Sequence, residues 1–132
     1  MSAAPGYTLP HLKLTEALLE IWGDERDNLT GGTMHILERI EKLLRGENLE
    51  RGFSADTVMI ILDEAVMHAP DRVRAFAFAW FRFDRPPGDN MRTPKADLVA
   101  ARLGISKAGI YVERRACLES LRATLKAKGL DV

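Results

Sequence analysis

The chain has 132 residues, of which 46% are hydrophobic and 29% charged, and its 19 basic and 19 acidic side chains cancel at pH 7. That length suits one domain, or a small domain with an appendage, and the apolar content is enough to bury a core, which sets disorder aside. No run of about eighteen uncharged apolar residues is present, and the first residues lack the basic-then-apolar layout of a secretory signal, so the expectation is a cytoplasmic protein with no membrane partner. The single cysteine, Cys117, can form neither an internal disulfide nor a cysteine-rich zinc site, and it reads as small core filler within a helix.

Apolar residues recur at the three-and-four spacing of amphipathic helices, which predicts an all-α fold. A first helix is expected from Thr15 as N-cap to Gly23, with Leu14, Leu18, Ile21 and Trp22 on one face. A polar loop ends in Gly31-Gly32, and paired glycines there read as flexibility rather than as an anion site. A second helix then starts at Thr33, turns Ile36, Leu37, Ile40, Leu43 and Leu44 inward, and is closed by Gly46 as a left-handed cap. Its outward side chains are Glu38, Arg39, Glu41, Lys42 and Arg45.

Ser54 opens a third helix with the stripe Val58, Ile61, Leu62, Ala65 and Val66, and Asp56 sits favourably near its positive end. Pro70 ends that helix and suits the first turn of a fourth, where Val73, Phe76, Ala77, Trp80 and Phe81 keep the helical spacing and Phe78 and Phe83 add bulk. Phe76, Phe78 and Trp80 also alternate as a strand would, but the alanines between them favour helix. Residues 85–92, with Pro86, Pro87 and Gly88, form a loop that no helix tolerates. It reads first as a spacer, although its Arg85 and Arg92 lie where they could reach a phosphate backbone.

From Thr93 the pattern changes character. Thr93 is expected to cap and Pro94 to open a helix carrying Leu98, Val99 and Leu103, with Ala100 and Ala101 small enough for a close helix approach. Gly104-Ile105-Ser106 then supplies, in order, a residue free to take positive φ, a hydrophobe and a cap for the next helix. Ile110 falls where the second arm must return an apolar side chain to the first, so residues 93–128 predict a helix-turn-helix. Leu118, Leu121 and Leu125 extend the second arm into a long helix that stops at Gly129. A plain helical hairpin follows the same spacing, and local charge separates the two readings: residues 1–84 hold 9 basic and 14 acidic side chains, residues 85–132 hold 10 and 5. The expected organisation is a helical body at 1–84 that meets protein, a loop at 85–92, and a DNA-binding segment at 93–132.

In such a motif the second helix enters the major groove of duplex DNA. Its outward N-terminal positions, Ser106, Lys107, Ala108, Tyr111, Val112 and Arg115, are the base-facing candidates. Arg115 suits a two-bond grip on guanine, and Ala108 and Val112 suit contact with a thymine methyl. Lys107, Arg114, Arg102, Arg92 and Lys95 are candidates for phosphates. Tyr111 has packing against its own motif as a competing role.

The Leu-Gly-Ile-Ser corner followed by Arg-Arg-Ala-Cys-Leu-Glu-Ser-Leu resembles the C-terminal DNA-binding region of sigma factors, with Glu113 standing where that pattern prefers an apolar residue. The wider layout, with Leu-Glu-Ile-Trp-Gly at residues 19–23, helices in the middle and a sigma-like motif at the end, resembles the zinc-free branch of the phage antitermination protein Q family. The loop at 85–92 is longer than that family's connection. The resemblance implies an N-terminal helical bundle followed by the sigma-like motif, and a regulator that binds DNA near a late promoter in the bacterial host cytoplasm. It further implies loading onto paused RNA polymerase and suppression of termination.

Two other readings stay open: a phage repressor or activator acting as a homo-oligomer on a two-fold site, and a terminase small-subunit-like packaging protein. An enzyme is not expected, and neither a cofactor nor a metal is called for. His11, His35 and His68 are scattered, and Glu64 with His68 one turn away reads as a surface hydrogen-bonded pair rather than a metal site.

Overall fold

A computed structural model describes residues 8–24, 33–46, 53–89 and 92–132, and of residues 33–36 and 46 only the backbone. The loop with Gly31 and Gly32 and the side chains of His35 and Ile36 lie outside this description, whereas Gly46, expected as the cap that closes the second helix, is the last residue of that helix. The fold is all-α: among the described residues there are six α-helices and no strand. They are α1 (Lys13–Asp24), α2 (Thr33–Gly46), α3 (Ala55–Met67), α4 (Asp71–Phe81), α5 (Lys95–Leu103) and α6 (Lys107–Ala127).

Thr15 is not the cap of α1. A 3-10 turn at Pro10–Leu12, with proline at its first position, feeds directly into the helix. Leu12 N donates to Leu9 O at 2.9 Å there. Proline brings a preset φ and has no N–H to leave orphaned, so it starts the turn well before Thr15. Thr15 is instead fully buried within the first turn of α1, and its hydroxyl has no hydrogen-bond partner among the described residues. Ser54 does cap α3, its Oγ accepting from Thr57 N at 3.2 Å, and all five residues of the expected α3 stripe are buried. That helix stops at Met67, with His68 as its cap and Pro70 as the N-cap of α4. The segment 71–81 is helical, and Phe76 stacks on Trp80 one turn later with ring centroids 5.7 Å apart.

One hydrophobic core runs through all of these helices. Leu18, Leu19, Ile21 and Trp22 enter it from α1, Ile40 and Leu44 from α2, Val99 and Ala100 from α5. The inner stripe of α6 is Ile110, Cys117, Leu118, Leu121 and Leu125, and this helix packs on α1, α3, α4 and α5. Trp22 is fully buried, edge-on to Phe78 at 5.2 Å and under the Arg82 guanidinium at 3.8 Å. Beside it, Gly23 lets the end of α1 rest on the backbone of α4, since any Cβ there would overlap the Phe81 carbonyl.

Because that neighbour is backbone, no rotamer change relieves the overlap. Gly23→Ala is expected to lower the free energy of unfolding by about 1–3 kcal/mol in urea denaturation. An unchanged midpoint would show that α1 and α4 do not meet so closely.

Candidate nucleic-acid interface

Helices α5 and α6 meet through a tight corner whose backbone bonds follow from its residues. Gly104 takes φ 69°, a left-handed conformation that costs other residues a Cβ clash. Ile105 N donates to Ala100 O at 3.0 Å and Gly104 N to Ala101 O at 3.3 Å, the paired bonds of a Schellman ending. Ser106 then caps α6, its Oγ accepting from Gly109 N at 3.0 Å, and Ile110 is fully buried against the first arm. Thr93 does not cap α5. Pro94 occupies that position with no side-chain cap, and the Thr93 carbonyl accepts from Arg85 at 2.6 Å.

At about 100° per residue, Ala108, Val112 and Arg115 fall on the side of α6 opposite Ile110. All three are exposed, Val112 by 69%, which is high for a large apolar side chain. Arg115 makes no hydrogen bond or ion pair among the described residues. Ser106 and Lys107 are exposed at the start of the helix, with Lys107 Nζ 3.3 Å from Asp97, and no acidic side chain occupies the first turn. Tyr111 is half-buried on the flank and packs against the core. Arg102 and Arg92 are also exposed. Arg102 Nη2 donates to the Asp84 carbonyl at 3.5 Å, while Arg92 contributes a backbone N–H to Asp89 O.

Two of the expected phosphate ligands are placed elsewhere. Arg114 is only 9% exposed, and its guanidinium donates to Glu16 Oε2 of α1 from Nε at 3.1 Å and from Nη2 at 2.5 Å, and to the Thr8 hydroxyl. It follows Ile110 by four residues and precedes Leu118 by four, so helical spacing alone puts it on the buried stripe. Lys95 is half-buried, with Nζ 4.5 Å from the centre of the Trp80 ring. Burial holds its amine below the ordinary lysine range, and Arg114 acts in the same direction against the nearby acids Glu20, Asp24 and Glu16. Burial and then Glu16 push the Glu20 carboxyl up. Arg85 is likewise occupied, paired with Asp89, whose carboxyl is held below the usual range first by the Thr93 hydroxyl and then by Arg85. The loop at 85–89 is thus closed upon itself.

Glu113, the position that departs from the sigma-like pattern, turns toward α4 and takes a two-bond ion pair from Arg72, with Nε at 2.8 Å. Residue type alone does not single out Glu119, which continues the outer stripe one turn beyond Arg115 and whose carboxylate accepts from His11 Nε2 at 2.9 Å. The spacing 108, 112, 115, 119 is the signal for it, and its negative charge limits the basic part of the outer stripe to the first turns of α6. Glu64 does not pair with the His68 side chain; its carboxylate lies 3.5 Å from Lys128 Nζ. Comparison with protein-family models, with curated proteins and with solved structures returns no match.

Cys117 lies on the buried side of α6, its thiol near the Val73 carbonyl, and burial, with a smaller contribution from Glu113, pushes its pKa up to about 12. The thiol is therefore protonated at neutral pH and sealed from solvent. A thiol reagent at pH 8 is expected to modify it only after denaturation, as followed by intact mass. Rapid modification of the native protein would contradict this packing.

Proposed function

We propose that this protein is a sequence-specific DNA-binding regulator of transcription that reads duplex DNA with the first turns of α6. The observation that carries the reading is the outer stripe of that helix. A capped second arm, fixed by a left-handed glycine corner, presents Lys107, Ala108, Val112 and Arg115 to solvent with no acid in its first turn. Arg115 has the reach and the free donors for guanine, and Val112 and Ala108 offer methyl contacts to thymine. Arg102, Arg92 and Lys107 are the cations left for phosphate. The buried positions of Arg114 and Lys95 remove them from that set.

In the finer form of this proposal the regulator is a phage late-gene antiterminator that loads onto bacterial RNA polymerase. The resemblance of the whole layout supports it, as does an exposed face of α3 on which Ile60 and Met67 stand in the open beside Asp56, Asp63 and Glu64. Such a face suits a basic, partly apolar protein surface.

Binding of a duplex selected by the wild-type protein, measured across a salt series, separates the roles. Arg115→Ala should relax preference at one base position by about 1–3 kcal/mol, whereas Lys107→Ala should weaken all sequences alike and flatten the salt dependence. Equal, sequence-blind losses would refute the base contact. For the finer reading, purified polymerase on a late-promoter template should show more read-through past an intrinsic terminator when the protein is present. Unchanged read-through despite confirmed DNA binding would exclude antitermination.

A further inference from the structure

Two neighbouring residues of α6 carry opposite charges and address different helices. Glu113 is held by Arg72 of α4, and Arg114 by Glu16 of α1 together with the Thr8 hydroxyl, which itself donates to Glu16 at 2.7 Å. The Arg114–Glu16 pair is withdrawn from water, with side chains only 11% and 19% exposed. Burying two charges costs desolvation that their attraction only about recovers, so such a pair adds little stability over apolar residues of similar volume. What it adds is direction, because a guanidinium–carboxylate contact is satisfied in one orientation whereas an apolar seam tolerates sliding and rotation.

We propose that Glu113 and Arg114 form a two-sided clamp that sets the rotation of α6 about its own axis and so aims its outer stripe. The polarity makes the setting unique. Turning α6 by one residue, about 100°, would move Glu113 away from Arg72 and Arg114 away from Glu16, stranding charges on both flanks of the seam. Ala108, Val112 and Arg115 lie on the far side of the same turns, so any error in rotation at residues 113 and 114 is carried directly to them. Arg114, Glu113, Glu16 and Arg72 are positioning residues that touch no base. Thr8 extends the clamp to the residues ahead of α1, which makes the start of the described chain part of the device that orients the reading helix.

This inference rests on the DNA-binding reading for its consequence but not for its mechanism, so two measurements are made on the full chain. The variants are Arg114→Met combined with Glu16→Leu, which keeps an apolar contact, and Arg72→Gln, which changes an exposed side chain. The double variant is expected to unfold at a denaturant midpoint close to that of the wild type. Amide exchange over residues 107–112 should quicken about tenfold in it relative to 118–125, and less in Arg72→Gln. The ratio of affinities for the wild-type-selected duplex and a random duplex of the same length should fall about tenfold. Unchanged exchange in both variants overturns the clamp. Faster exchange with an unchanged ratio overturns its link to reading. Should the wild type select no duplex, the DNA-binding reading fails, and exchange alone decides the clamp.

Discussion

Burial of the inner stripe of α6, from Ile110 through Cys117, Leu118 and Leu121 to Leu125, ties the motif to the body, because the helix that begins as the second arm of the corner ends as a packing partner of α1 and α3. Each large apolar side chain withdrawn from water there contributes roughly 1.5–3 kcal/mol before conformational entropy is counted. A corner built from α5 and the first turns of α6 alone would have only Val99, Ala100 and Ile110 fully inside, too little to hold two helices at a fixed angle. The length of α6 is therefore a requirement of the corner. The chain ends by repeating the corner's own device: Gly129 takes φ 93°, Leu130 N bonds back to Leu125 O at 3.0 Å, and the Leu130 side chain closes the core.

The opposite end of the core is governed by a close backbone approach. Gly23 allows α1 and the last turn of α4 to touch, and that contact sets Trp22 edge-on to Phe78 with the Arg82 guanidinium over both rings. The Trp22-Gly23 pair thus has a packing cause within this chain: a large ring needs the neighbouring helix near, and the helix can come near only where a Cβ is missing. Trp80 of α4 and Phe83 just beyond it in turn set the entry to α5, since they receive the Lys95 ammonium at 4.5 and 5.6 Å. The loop between them is closed by Arg85, Asp89 and Thr93, so the motif starts from an anchored point.

Helices whose ends carry their own chemistry were legible from residue order. Ser54 and the stripe from Val58 to Val66, and the Gly104-Ile105-Ser106 corner with Ile110, could be read because cap, turn and spacing are local properties. Thr15 misled because a residue with capping chemistry lay inside a helix that a proline had already started. Arg114 and Lys95 misled for a related reason. Both are cations beside the motif, and charge says nothing about which way a side chain points. Spacing did say so for Arg114, four residues from both Ile110 and Leu118, and for Glu119 on the outer stripe. The partners, Glu16 for Arg114 and Arg72 for Glu113, lie 98 and 41 residues away and could not be read locally.

The basic excess of the C-terminal third looks different once its side chains are placed. Arg85, Lys95, Arg114 and Lys128 all face acids, rings or carbonyls of the protein, and Arg122 donates to the Val132 carbonyl. The positive charge is thus spent largely on holding the helices together. On the DNA-binding reading, Arg92 and Arg115 remain near the motif, beside Lys107 and Arg102, which are exposed but already lie against Asp97 and the Asp84 carbonyl; that is too few for tight non-specific attachment, because each phosphate contact contributes by releasing condensed counterions and only a handful can form. The zero net charge of the chain is then no objection to the reading. The summed charge mostly records pairs made inside the fold, and what the protein presents outward is set by which side chains of α6 and its neighbours stay exposed.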